Sequence, residues 1–194
     1  MRDPTYFARL VSLACHDVRT PLATVHGFAT TLTRTVELAA PADRYVQMIE
    51  QASAQMAELL DELSLVARIE AGRYEPALRD ADTLVLARAA AERLGEDRVH
   101  VSGEGATVAT DPEAVDRGVS ALVQAALRHG GLEEVGVLVR GTELEVSPIS
   151  EASAPVVLGT DLRDLGAAVA VAVVEHLGGS VDVAGGTLTV RLAS

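Results

Sequence analysis

The chain has 194 residues with 48% hydrophobic and only 3% aromatic residues, and its formal net charge is −12 at pH 7. The acidic excess excludes nucleic acid and an anionic membrane surface as expected partners, because both need clustered Lys and Arg. The single cysteine, Cys15, excludes an internal disulfide and a cysteine-rich zinc site and is typical of a reducing cytoplasm. No apolar run reaches about 18 residues and no signal peptide is recognised, so we expect a cytoplasmic chain without direct membrane insertion.

The N-terminal part of the chain carries two long heptad patterns. The first spans about residues 5–35, with apolar residues at alternating steps of four and three: Val11, Cys15, Val18, Leu22, Val25, Ala29 and Leu32. The second follows Pro41: Ile49, Ala52, Met56, Leu59, Leu63 and Val66. These stripes predict an antiparallel helical hairpin joined near residues 39–42. Because two narrow stripes cannot build a full core alone, we expect a homodimer that forms a four-helix bundle.

The pattern changes after a helix end at Gly72 and a linker through Pro76, which predicts one domain over residues 1–75 and another over 76–194. The predicted elements of the second domain are a helix over 83–94, strands over 99–101 and 107–109 around a turn at 103–105, a helix over 111–128 with Asp111 as N-cap, a hairpin of 135–139 and 143–146, a helix over 165–177, and a hairpin of 181–183 and 187–192. This order predicts an α+β domain whose helices lie on one mixed sheet.

One segment of the first helix combines side chains suited to phosphoryl chemistry. His16 lies one residue beside the apolar stripe, so its imidazole should face outward and be able to attack a phosphoryl group. Asp17 can polarise that imidazole or take its proton, and Thr20 lies one turn further on the same helix face. Pro21 deprives the Asp17 carbonyl of its helical partner, which predicts a local bend. The remaining histidines are interpreted as structural or solvent-facing: His26, His100, His129 and His176.

The heptapeptide His16-Asp17-Val18-Arg19-Thr20-Pro21-Leu22 resembles the H box of two-component sensor histidine kinases. Residues 65–73 are similar to the end of that family's second dimerisation helix, and residues 111–129 to its N-box helix. The resemblance implies a phosphoacceptor hairpin followed by a GHKL-type α/β sandwich. It implies His16 as the phosphoacceptor, Asp17 as its acid or base, and Thr20 in a phosphatase-type role, with Arg19 and Pro21 completing the segment.

The resemblance fails at the positions where the family holds magnesium and ATP. The N-box asparagine falls on Ala125 and the polar position one turn earlier on Ala121, and alanine offers no oxygen to magnesium. The adenine box falls on residues 144–150, where Ser147 stands and neither the aspartate nor the glycines occur. In the phosphate loop only Gly166 remains, and Asp164 would repel a phosphate at a helix N-terminus. We therefore expect no metal or cofactor bound by this chain, and expect magnesium to come with a receiver domain.

Three functions are compatible with this combination. In the first, the protein is a histidine phosphotransferase of a phosphorelay, and His16 takes a phosphoryl group from one response-regulator receiver domain and passes it to another. In the second it is a fragment of an ATP-dependent sensor kinase with divergent ATP contacts. In the third it is a non-catalytic pseudokinase scaffold that binds a response regulator. The missing ATP contacts favour the first and third functions, and the intact H box favours the first, a phosphotransferase rather than an autokinase.

Overall fold

Two long helices form the N-terminal part of the structure, a computed structural model that describes residues 5–193. Helix α1 (Thr5–Thr35) and helix α2 (Ala42–Glu70) pack as a hairpin. The chain divides after Tyr74 into two compact units, which we call the hairpin unit (through Tyr74) and the sheet unit (from Glu75). Within the described residues, no helix combines the length and the apolar character needed to cross a bilayer.

The hairpin buries small residues at its helix contact. On α1 every seventh residue is buried: Ala8, Cys15, Leu22 and Ala29. On α2 the buried residues are Ser53 and Ala67. Eight further members of the predicted stripes are exposed, whereas Val11 and Val66 are partly buried; the exposed members are Val18, Val25, Leu32, Ile49, Ala52, Met56, Leu59 and Leu63. In a four-helix bundle the apolar stripe of each helix contacts two adjacent helices, whereas a single hairpin supplies only one of these helices.

The sheet unit combines strands and helices along the chain. Its elements are β1 (Arg79–Asp82), α3 (Thr83–Leu94), β2 (Val99–Gly105), β3 (Thr107–Thr110), α4 (Pro112–Gly130), β4 (Val135–Gly141), β5 (Glu143–Ser147), α5 (Ala154–Val157), α6 (Leu165–His176), β6 (Ser180–Ala184) and β7 (Thr187–Arg191). Five strands form one mixed sheet in the order β2-β4-β5-β7-β6, with β2 parallel to β4 and the other neighbours antiparallel. Strands β1 and β3 form a separate antiparallel pair.

A single buried apolar cluster joins α3, α4 and α6 to one face of the five-stranded sheet. Alternate residues of β4 and β5 are buried, such as Val137, Val139 and Leu144, because successive side chains of a strand point to opposite faces. Helix α4 begins as predicted with Asp111, whose carboxylate accepts a hydrogen bond from the Ala114 N–H at 3.2 Å. The predicted α+β class, a helical hairpin followed by helices on a mixed sheet, is confirmed.

The prediction of a turn at residues 103–105 is wrong. These residues continue β2, which pairs in parallel with β4, and β3 pairs instead with β1. Gly103 has a φ of +103°, and a Cβ there would lie 2.0 Å from the Val139 carbonyl oxygen. The glycine therefore permits close backbone approach inside the sheet rather than chain reversal. Strand β1 and the short helix α5 were not predicted, because β1 (Arg-Asp-Ala-Asp) has no apolar alternation and α5 is about one helical turn long.

Candidate functional site

His16 lies near the middle of α1, and its side chain is 76% exposed. Its Nδ1 is 3.2 Å from Asp17 Oδ1. An ionised carboxylate only accepts hydrogen bonds, so this contact selects the tautomer with the proton on Nδ1. The Nε2 lone pair is then available to an incoming electrophile. The outward orientation expected from the position of His16 beside the stripe is thus found, and His16 and Asp17 are brought into contact.

Arg19 lies three residues after His16 and reaches across the hairpin. Its Nη2 donates to Asp61 Oδ1 on α2 at 2.6 Å, and the two side chains are 42% and 56% exposed. Sequence reasoning missed Asp61, because it lies 42 residues from its partner and in no recognised motif. Thr20 and Pro21 are both exposed, and α1 continues through Pro21. The candidate site therefore consists of α1 side chains with one carboxylate contributed by α2.

A polar layer ties the two helices together nearer the hairpin loop. Glu50 accepts hydrogen bonds from the Thr30 and Thr33 hydroxyls at 2.8 and 2.9 Å. These bonds hold the pKa of the Glu50 carboxyl below its ordinary value, and nearby His26 and Arg34 add to the effect. The His26 Nδ1 lies 3.0 Å from the buried Ser53 hydroxyl. His26 thus has the structural place that the sequence interpretation assigned to it.

In the sheet unit, the two alanines singled out on α4 point toward apolar surroundings. Ala125 is fully buried in the core cluster, and Ala121 packs against that cluster while partly exposed. Magnesium is bound through oxygen atoms, and neither side chain has one. Among residues 5–193, no group of three or more His, Cys, Asp or Glu side chains is arranged to hold a metal ion. Ala125 and Ala121 therefore supply no side-chain oxygen for the magnesium ion that the family resemblance implies.

Asp164, at the position of the family's phosphate loop, is bound by backbone and side-chain groups of the same chain. Its Oδ1 caps α6 by accepting from the Ala167 N–H at 3.1 Å. Its Oδ2 lies 3.1 Å from His129 Nε2 and 3.3 Å from Arg128 Nη1, both at the end of α4. The Asp164 side chain is only 9% exposed. The helix N-terminus and two basic side chains, which together would attract an anion, are therefore already matched by this carboxylate.

The segment at the expected adenine box is closed by its own hydrogen bonds. Ser147 ends β5, and Ile149 donates its N–H to the Gly186 carbonyl at 2.7 Å. Ser153 is fully buried, and its hydroxyl lies 3.0 Å from the Ser150 hydroxyl. Gly166 lies in the first turn of α6 and is partly buried. The Ser150 and Ser153 hydroxyls at the end of this segment are therefore bonded to each other.

Comparison with known proteins matches residues 8–72 to the His Kinase A (phospho-acceptor) domain. No curated protein sequence matches the chain. Among solved structures, full-length ShkA in complex with AMPPNP is similar with a TM-score of 0.67 and 20% identity, over 96% of this chain and 46% of ShkA. The histidine kinase AdeS of Acinetobacter baumannii gives 0.57 and 14% identity, over 92% of this chain and 97% of AdeS. The chain thus spans about half the length of ShkA, and at these identities the likeness shows the fold.

Proposed function

We propose, on the premise that residues 8–72 are a His Kinase A phospho-acceptor domain within a histidine-kinase-like fold, that this protein is a histidine phosphotransfer protein of two-component signalling. The observation that carries the proposal is a contrast within one chain. His16 is exposed and hydrogen-bonded to Asp17, whereas Asp164 is bonded to Arg128 and His129 at the place of a phosphate loop. This contrast supports a phosphoacceptor histidine that is loaded by another protein rather than from ATP bound by this chain.

The transfer uses the tautomer that Asp17 selects. Nε2 of His16 attacks the phosphorus of an aspartyl phosphate on a receiver domain, so that an N–P bond forms while the P–O bond to the aspartate breaks. The receiver aspartate leaves as a carboxylate, and the Nδ1 proton stays in the hydrogen bond to Asp17, which offsets the positive charge of the ring. Donation to a second receiver is the reverse of this step. We expect magnesium to be supplied with the receiver domain.

Burial and hydrogen bonding support two parts of the proposal, the absence of ATP binding and the homodimer. Buried Ala125, partly buried Ala121 and the self-bonded segment after Ser147 support the absence of ATP binding. The apolar side chains left exposed on the hairpin unit support a homodimer, because a second hairpin would cover them in a four-helix bundle. Receiver domains are proposed as partners because an exposed histidine needs a phosphoryl donor outside the chain.

The experiment uses receiver domains encoded next to this chain and charged with radiolabelled acetyl phosphate. We expect the label to move to the protein in a bond that is stable in alkali and labile in acid. His16→Ala should lose this uptake by at least about a hundredfold, because the proposal assigns the N–P bond to His16 alone among the five histidines. The exposed His100→Gln variant is the matched control and should take up label normally.

Two other results would replace the proposal with an alternative. Saturable binding of Mg-ATP in a calorimetric titration, followed by labelling of His16, would identify an ATP-dependent kinase fragment. Receiver binding without uptake of label from any receiver would identify a scaffold. Loss of dimerisation in His16→Ala, measured by light scattering, would place His16 in the bundle core and contradict its role as an exposed acceptor.

A further inference from the structure

Arg19 lies three residues after His16, in a stretch of the hairpin whose other Asp, Glu, Lys and Arg residues are all acidic. In the sequence, α1 contains no other Lys or Arg between Arg9 and Arg34, and α2 contains none between Arg44 and Arg68. The same stretch of α2 carries three acidic residues close together: Glu58, Asp61 and Glu62. A phosphoryl group on His16 would therefore add negative charge beside Asp17, on a stretch of α1 whose one Lys or Arg is Arg19.

The position of Arg19 suits compensation of this charge. Residues three apart on a helix are surface neighbours, so the Arg19 side chain starts from the same face as His16. Its guanidinium is a planar fork of N–H donors that matches phosphoryl oxygens, and the bond to Asp61 at 2.6 Å engages Nη2. An ion pair as exposed as Arg19–Asp61 contributes little to the free energy of folding. Stabilising the fold is therefore not a sufficient reason for this pair. Pro21 weakens the helical hydrogen bonding of the same turn.

We propose that Arg19 binds the phosphoryl group on His16, and that Asp61 is a positioning residue that holds the guanidinium beside the site until the phosphoryl group arrives. A phosphoryl group carries a charge of about −1.5 to −2, which exceeds the single charge of Asp61, so Arg19 exchanges one anion for the stronger one. Asp61 is then released to water, which its exposure allows. This inference rests on His16 as the phosphoacceptor in the proposed function.

The test loads His16 without a receiver domain, so that the inference is judged apart from the phosphorelay. Phosphoramidate transfers its phosphoryl group to the imidazole: the N–P bond to His16 forms, the P–N bond of the reagent breaks, and ammonia leaves. The phosphorus NMR signal of phosphohistidine is then followed against pH in the full chain. In the wild-type protein we expect the phosphoryl group to lose its last proton at a lower pH than in Arg19→Gln, because the guanidinium stabilises the dianion.

Three further variants separate binding by Arg19 from a structural effect. Arg19→Lys should give a midpoint between wild type and Arg19→Gln, because an ammonium keeps the charge without the fork. Asp61→Asn should lower the midpoint below that of wild type, because Arg19 no longer has a competing anion. Glu58→Gln removes an equal charge from α2. We expect it to shift the titration midpoint less than Asp61→Asn does, and this shift measures the general effect of removing a negative charge.

The inference fails if Arg19→Gln titrates at the wild-type midpoint, or if Asp61→Asn shifts it no more than Glu58→Gln does. A phosphoryl group that cannot be placed on His16 by phosphoramidate at all would overturn this inference and the phosphoacceptor assignment together. Normal loading with unchanged midpoints would overturn the inference alone, and uptake from receiver domains would still decide the proposed function. Circular dichroism of each variant checks that the hairpin remains helical.

Discussion

The hairpin unit and the sheet unit differ in the exposure of the charged groups at two positions that the family resemblance connects with phosphate, around His16 and at Asp164. In the hairpin unit, His16 and Asp17 project into solvent, and the neighbouring Arg19–Asp61 pair is about half exposed. In the sheet unit, Asp164 is almost buried and is bound on both carboxylate oxygens by groups of the same chain. An exposed group can act on a second protein, whereas a buried and matched group has its interactions already satisfied. This difference is the basis of the proposal that His16 acts on a second protein, and it gives Asp164 a structural role at the start of α6.

The largest effect on the free energy of unfolding is expected at Ala125. Ala125→Asn, which restores the residue type typical of the N box, should lower the free energy of unfolding by about 3 kcal/mol, because a larger polar group enters a packed core. Urea unfolding followed by circular dichroism measures it. Ala121→Asn is the matched control on the same helix, and its partly exposed site should cost about 1 kcal/mol. A variant at Ala125 that keeps wild-type stability and binds magnesium would break the comparison.

A smaller effect is expected at Asp164. Asp164→Ala should lower the free energy of unfolding by about 2 kcal/mol, because α6 loses its cap and Arg128 and His129 lose a nearly buried partner. Asp164→Asn keeps the capping oxygen and should cost about half as much. The difference between the two variants, measured by urea unfolding, isolates the cap. Equal losses would mean that the ion pairs carry the whole effect, and no loss would remove the structural role given to Asp164.

The smallest effect concerns the polar layer of the hairpin unit. Because the folded state lowers the pKa of Glu50, its ionised form stabilises the hairpin above the ordinary value of 4.5, and this contribution is lost as pH falls through the lower folded-state pKa. Glu50→Gln should therefore flatten the acid side of the stability-versus-pH curve. Thermal unfolding of the full chain at several pH values measures the slope. Glu37→Gln, in the exposed loop, is the control, and an equal flattening there would contradict the role of the layer.

Local features of the sequence predicted much of the fold. The heptad spacing predicted α1 and α2, and the Gly141 and Gly185-Gly186 turns predicted the hairpins β4–β5 and β6–β7. The start of a helix was predicted correctly where an N-capping side chain precedes it, as Asp111 precedes α4. Such signals involve residues within a few positions of each other, so they survive without knowledge of the rest of the chain.

The candidate site was predictable only in part. The H box placed His16, Asp17, Arg19, Thr20 and Pro21 on one helix, and the structure puts the first two in contact. It did not indicate Asp61, which reaches Arg19 only after α2 has folded back on α1. The sequence also indicated that Asp164 is unsuited to a phosphate, but not that Arg128 and His129 bind it. Both missed contacts join residues on different helices.

The sequence by itself determined the five longer helices, the hairpin turns and the identity of the candidate phosphoacceptor, because each depends on side chains a turn or a few residues apart. The tertiary structure alone decided the parallel pairing of β2 with β4, which few residues of the heptad stripes are buried, and the partners of Arg19 and Asp164. These contacts join residues distant along the chain. Their formation depends on the loop-closure entropy and on competition among all possible partners, which no local pattern records.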